Sequence, residues 1–251
     1  MGSNHMLNLS NQNSEEEKIP SLSDIKDYVK KYNKQKSEND PIRFVITHEP
    51  EFAQTLGSLH PELFLFSNSI DMNDARAQHK RLRNLIKDHA SNYVFTVRDL
   101  LLSGCEDLRV RMDLERMACD SLTYSLVEPL KKNDLTGDER KMFSKKLKER
   151  NIQKMTNEQI VDVIMSRPTI IIQKDVESGL KSSSILLHPL TNLVFLRDQQ
   201  ITTARGVVLG SMMLVQRRME TELLRFIFGK LGIPVIADLS LNDDSDDSQS
   251  P

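Results

Sequence analysis

Tryptophan is absent from this 251-residue chain, cysteine occurs twice, and aromatic residues make up only 5%. Two cysteines cannot build the disulfide framework that staples small secreted domains. Cys105 and Cys119 fall in one stretch of helical periodicity. On one continuous helix their spacing is about 21 Å of rise, beyond disulfide reach. Both read as small packed thiols, and a reducing, cytoplasmic location is expected. No run of about 18 apolar residues occurs, so no membrane span is expected. The first residues lack the apolar core of a secretory signal. Met1-Gly2 does not complete an acylation signal, because position six is Met rather than Ser or Thr. The six residues Met1 to Met6 read equally as an expression scar. An excess of one charge is missing too: Lys and Arg total 34 against 36 acids, a formal net charge of −2. That balance excludes a strongly basic nucleic-acid binder. No motif calls for a metal or a cofactor, and none is expected.

What is present is an ordinary globular composition, 38% apolar and 28% charged, long enough for one large domain or two small ones with a real core. Residues 1–40 form a polar leader, expected to be partly disordered, with one short helix capped by Ser23 and carrying Ile25, Tyr28, Val29 and Tyr32 on one side. Residues 41–98 read as a first α/β repeat. Ile42–Thr47 is a β-rich run closed by His48-Glu-Pro50, and a loop reaches Asp71. An amphipathic helix with Ala75, Leu82, Leu85 and Ile86 follows, and then a second strand, Tyr93–Val97. Residues 99–167 read as an all-helical insertion. Leu108 to Leu122 supplies one long helix, Thr136 starts another, and Thr156-Asn-Glu-Gln159 has the form of a capping box. Residues 168–237 read as a second α/β repeat. Its strands are Thr169–Gln173, Ile185–Leu187 and Leu193–Leu196, with a hairpin turning at Thr203–Gly206 into Val207–Leu209. A helix from Leu214 to Leu231 stops at Gly232, before extended Pro234–Ala237. Residues 238–251 compose an acidic tail with nothing apolar to bury, and disorder is expected there.

Chemistry concentrates at Asn192-Leu-Val-Phe-Leu-Arg-Asp198 and at Arg217-Arg218 beyond it. Strand alternation would place Asn192 and Asp198 on one face with Val194 and Leu196, and Phe195 and Arg197 on the other. A carboxylate matches a planar guanidinium through two parallel N–H···O bonds, and an arginine meets a carboxylate in the same forked way. Asp198 and Arg217 could therefore clamp the two ends of an amino acid that carries a guanidinium. The competing reading pairs Asp198 with Arg197 or Arg205 and leaves Arg217-Arg218 as a solvated helix start.

The segment Asn192-Leu-Val-Phe-Leu-Arg-Asp-Gln-Gln-Ile-Thr-Thr203, with Arg205-Gly206 and Gln216-Arg-Arg-Met-Glu220, resembles arginine deiminase, in particular its eukaryotic branch. Ile42–Pro50 is similar to the family's first strand and His-x-Pro turn, and Leu59-His-Pro-Glu-Leu63 and Gln78-His79 follow in the family's order. The resemblance covers roughly Pro41 to Ala237. It implies a partial pentein propeller, an α/β fold of ββαβ-type repeats with the helical subdomain inserted, and hydrolysis of L-arginine to citrulline and ammonia by a cysteine thiolate. Carried over by position, Asp198 is the catalytic-site carboxylate that grips the guanidinium. Asn192 and Arg217 hold the substrate α-carboxylate, and Phe195 packs on its stem. The family's late cysteine, its His-x-Asp motif and its Leu-Glu-Gly-Gly-Asp-like glutamate have no counterpart here, and Cys105 and Cys119 fall in the insert. Thr191 stands where proline often precedes the asparagine, and Phe66-Ser-Asn68 where acids are usual. The expectation is half a substrate site, inactive by itself. Partners would be L-arginine and a second copy of the chain in a homo-oligomer, with no nucleic acid and no membrane. The alternatives are a non-catalytic arginine-binding or regulatory relative, or another guanidino-modifying pentein such as an amidinotransferase or a methylarginine hydrolase.

Overall fold

A computed structural model describes residues 20–241 except Asn33, Asn92, Pro129 and Val176. The first nineteen residues, and the acidic tail from 242 onward, lie outside the described residues.

Helix α1 spans Leu22–Tyr32. Its cap is Ser21 rather than Ser23: the Ser21 hydroxyl accepts the Asp24 N–H at 3.2 Å and donates to the Asp24 carboxylate. Leu22, Ile25 and Val29 recur at helical spacing and are buried in the main core, so this leader helix is part of the fold. Gly104 adopts φ +73° beneath it, and a Cβ there would meet Leu22 at 2.6 Å. Tyr28 stacks on Tyr93 with ring centroids 3.5 Å apart.

Strand β1, Val45–Thr47, and strand β2, Val94–Thr96, pair in parallel, as a long crossover requires. The crossover holds helix α2, Phe52–Gly57, a 3-10 turn at Pro61–Phe64, and helix α3, Met72–His89. A loop up to Asp71 is expected from the sequence, and the structure has α2 and the 3-10 turn there instead. Six residues are too few to show a period, and α2 starts from an unusual capping box in which Glu51 stands where Ser or Thr is common. Asp71 caps α3 by accepting the N–H groups of Asn73 and Asp74. The apolar stripe of α3 stays at the surface, with Leu82 and Leu85 about half exposed.

The expectation of an all-helical block at 99–167 is corrected. Helix α4 spans Val97–Leu102 and helix α5 Leu108–Ser121, but strand β3, Thr123–Leu126, follows at once. Helices α6 (Gly137–Lys141), α7 (Lys145–Ile152) and α8 (Asn157–Ser166) complete the block. Thr156 and Gln159 form the expected capping box of α8. The helix opened by Thr136 lasts five residues, and Ser144 caps a new one. Cys105 lies in the turn before α5 and Cys119 within α5, so the two thiols do not share one helix.

β3 is absorbed by a second sheet. Strand β4, Pro168–Asp175, pairs parallel with β3 and antiparallel with strand β5, Gly179–Leu187, with a register shift between Ile171 and Ile172. A third sheet has the expected hairpin, strand β6 (Gln200–Thr202) against strand β7 (Val207–Leu209). Helix α9, Val215–Leu231, then leads to strand β8, Val235–Asp238, parallel to β7. Gly232 ends α9 at φ +73°, where only glycine is unstrained. At Gly206 (φ +145°) a Cβ would sit 2.3 Å from the Pro234 carbonyl oxygen, so the hairpin turn and the entry to β8 touch backbone to backbone. Residues 200–238 thus form a ββαβ unit, and Asp238 ends β8 with its carboxylate held by Arg225. The described residues form three small separate sheets and no closed ring.

One hydrophobic cluster joins all these parts: Ile25 from α1, Leu100 from α4, Leu114 from α5, Ile160 from α8, Leu193, and Leu224 and Ile227 from α9. Each such side chain contributes about 1.5–3 kcal/mol on burial.

Candidate functional site

Leu193–Leu196 is not a strand. Leu193–Phe195 is a 3-10 turn, and it continues in turns to Gln199, with the Phe195 N–H on the Asn192 carbonyl (3.0 Å) and the Asp198 N–H on the Phe195 carbonyl (3.1 Å). A four-residue apolar run fits a strand by composition, but among the described residues no strand pairs with it. The period changes from two to three, so Asn192, Phe195 and Asp198 fall on a common side of the winding instead of opposite faces. The placement is graded: Asn192 is buried at 1% exposure, while Phe195 is half exposed and Asp198 likewise.

Arg217 reaches this segment from the first turn of α9. The buried stripe of α9 runs Arg217, Glu220, Thr221, Leu224, Ile227, Phe228, Leu231, polar at the start and apolar afterwards. Its polar end meets the chain leaving the turn. Arg217 Nη1 donates to Asp198 Oδ2 at 2.9 Å, and Arg217 Nε donates to Glu220 Oε2 at 3.0 Å. Gln199 Nε2 donates to the same Glu220 oxygen. The hairpin fixes this approach: the Gly210 N–H binds the Gln199 carbonyl at 2.9 Å, and the Thr221 hydroxyl donates to the Gly210 carbonyl. Asp198 and Arg217 therefore touch each other; they do not stand apart as the two ends of a clamp. The competing pairing of Asp198 with Arg197 is also not what is seen, since Arg197 pairs with Glu38 at the surface.

Electrostatics follow from burial. Glu220 is fully buried, which raises its pKa above the usual carboxylate value, while Gln199, Arg217 and the Asn192 backbone amide oppose that rise. Four buried polar atoms around it have no protein partner: Asn192 Oδ1, Gln199 Oε1, Glu220 Oε1 and Arg217 Nη2, three acceptors and one donor. Neither thiol is part of this arrangement. Cys105 and Cys119 are both buried, and burial pushes both thiols up, away from the nucleophilic thiolate. Among the described residues no group of three His, Cys, Asp or Glu side chains could hold a metal. No helix among them is long and apolar enough to cross a membrane.

Sequence reasoning singled out Asn192, Phe195, Asp198 and Arg217 and missed Gln199 and Glu220 as members of the same network. Glu220 did leave a signal. An acid in line with Leu224 and Ile227 at helical spacing, three residues after an arginine, is a charge that the fold must bury and compensate. Gln199 left none, being one polar residue in a polar run.

The comparisons bear on this same stretch. A family model described as arginine deiminase matches residues 62–246. The arginine deiminase of Halobacterium salinarum is 26% identical over 226 residues, covering 81% of this chain and 43% of that protein. The arginine deiminase of Metamycoplasma hominis is 24% identical over 206 residues, covering 76% of this chain and 43% of that protein. The chain thus spans less than half the length of the curated relatives it matches. With the turn, the hairpin and the arginine-bearing helix all inside the matched region, the chain belongs to the arginine deiminase family.

Proposed function

We propose that this chain is a partial arginine deiminase that supplies the substrate-gripping side of a site converting L-arginine and water to L-citrulline and ammonia. Asp198 grips the guanidinium, Asn192 and Arg217 hold the α-carboxylate, and Phe195 packs along the aliphatic stem. To do so, Arg217 exchanges its half-exposed partner Asp198 for the substrate carboxylate and keeps Glu220. A guanidinium has donors only. Asp198 offers it a half-exposed carboxylate, and beside that Arg217 Nη2 is a buried donor with no protein partner, which suits the carboxylate end; a free donor next to an open acceptor carries the reading. The thiolate that attacks the guanidinium carbon comes from a segment other than this one, because Cys105 and Cys119 are buried with raised pKa values. The ββαβ unit at 200–238 is then one blade of a pentein propeller, and the chain works in the cytosol as a homo-oligomer.

The purified 251-residue chain should release no citrulline from L-arginine and bind it weakly in calorimetry, with Asp198→Ala removing the residual heat. Citrulline release that Asp198→Ala abolishes, or tight binding by the chain alone, overturns the proposal. The buried thiols equally favour a non-catalytic arginine-binding relative. Mixing the chain with the part of a curated relative that it does not cover separates the two, since only a partial enzyme then gains turnover. Competition by methylated arginine or by an amidino acceptor identifies the other guanidino-modifying activities.

A further inference from the structure

We propose that Gln54 is a positioning residue for the candidate site: from α2 it holds the Thr191–Asn192 turn from which the chain winds to Asp198 and Gln199. This rests on the reading of that site given above. Gln54 is 1% exposed and uses both ends of its amide. Its Oε1 accepts the Glu51 N–H at 2.8 Å, closing the capping box of α2. Its Nε2 donates to the Thr191 carbonyl at 2.9 Å and the Leu190 carbonyl at 3.4 Å, across 137 and 136 residues of chain. A neutral amide suits this task, because one buried group must accept on one side and donate on the other, and a carboxylate or an ammonium provides only one of these.

The surroundings keep the amide from moving. Glu51, the α2 cap, takes the Arg98 guanidinium through Nε at 3.0 Å, and Arg98 also binds Asp162 of α8 at 2.7 Å. One turn further along α2, a Cβ at Gly57 would lie 2.6 Å from the Phe66 ring and 3.2 Å from Thr191 Cγ2, so helix and turn are in close contact there too. α2 is therefore anchored to α8 at one end and pressed on the 190–192 turn at the other. Asn192 is the residue that follows; its carbonyl accepts the Phe195 N–H at 3.0 Å and the Phe195 carbonyl accepts the Asp198 N–H at 3.1 Å, so this winding delivers Asp198 to Arg217 and Gln199 to the buried Glu220. A carbonyl released by Gln54 would let the turn rotate and carry Asp198 and Gln199 out of register with Arg217 and Glu220.

The test is residue-resolved hydrogen exchange on the 251-residue chain, wild type against Gln54→Glu and Gln54→Leu. Gln54→Glu keeps the acceptor that caps α2 and removes the donor to Thr191; Gln54→Leu removes both. The expected result is at least tenfold faster exchange in both variants of the Phe195 amide, which donates to the Asn192 carbonyl. The Glu51 amide should lose protection only in Gln54→Leu, and the amides of Leu224 and Ile227 should stay within twofold. The Arg217 Nε resonance should shift in both variants. Unchanged Phe195 exchange overturns the proposal. So does a uniform loss of protection or unfolding in both variants, which would make Gln54 a member of the scaffold and nothing more. L-arginine titration of the wild type reads out separately: no binding counts against the site reading and leaves the exchange result to decide Gln54.

Discussion

Arg217 holds two carboxylates of unequal burial, and the difference sets what each is worth. Asp198 is half exposed, so its pair with Arg217 is screened by water and contributes about 0–1 kcal/mol. Glu220 has no exposed surface, and removal of its cation leaves a buried charge uncompensated. Arg217→Ala should therefore cost about 3–5 kcal/mol in urea unfolding, while Asp198→Ala costs less than about 1 kcal/mol. Equal losses from the two would show that the inner pair carries no special weight. His48 gives the pH dependence. It is buried beside Glu51, His79 and Arg98, and burial pushes its imidazole down to about 4. The folded state keeps His48 neutral while the unfolded chain protonates it near its ordinary value of 6.5. Stability is then fully present above about pH 6.5 and is lost as pH falls towards 4, by about 3 kcal/mol for this group. Glu220, with its raised pKa, acts in the opposite sense: its contribution favours the folded state at low pH and fades as pH rises through the folded value. The difference between wild type and His48→Gln isolates the histidine, and the wild type should lose more stability between pH 7 and 4.5 than the variant does.

Elements differ in how much of themselves they write into the sequence. α9 carries seventeen residues of helical period and a stopping glycine, and α8 carries a capping box, so both were legible. β3 was not: four residues leave α5 without a break, and the partner that makes them a strand, beginning with Thr169 opposite Thr123, lies far along the chain. Leu193–Phe195 misled in the other direction, because β propensity without a pairing strand gives way to a turn. The candidate site was legible in its residue types, since guanidinium and carboxylate chemistry is local, and illegible in its geometry, since that depends on a winding of period three. The third sheet offers a test at this scale. Gly206→Ala forces a left-handed backbone and drives a Cβ into the Pro234 carbonyl, which as backbone cannot swing aside. The expected cost is about 2–4 kcal/mol from overpacking and strain together. Gly137→Ala, where a Cβ would meet nothing within 4 Å, should be near neutral in the same assay.

Over the whole molecule, the region matched to the family and the region that folds do not coincide. The match begins at residue 62, yet Leu22, Ile25 and Val29 are buried in the same core as Leu223 and Leu224 of α9, and β1 supplies half of its sheet. A chain trimmed to start at residue 62 should lose cooperative urea unfolding, and one trimmed to start at Pro20 should keep it. A cooperative transition in the shorter chain would show that α1 and β1 only decorate the core. The ring stack between Tyr28 of α1 and Tyr93, the residue before β2, makes the docking itself visible. Of four tyrosines, Tyr28, Tyr32 and Tyr93 sit in one cluster and Tyr124 lies elsewhere, and no tryptophan is present to mask them. Detachment of the leader helix should thus alter ultraviolet emission from the native chromophores alone, an intrinsic optical gauge that needs no dye, tag or label.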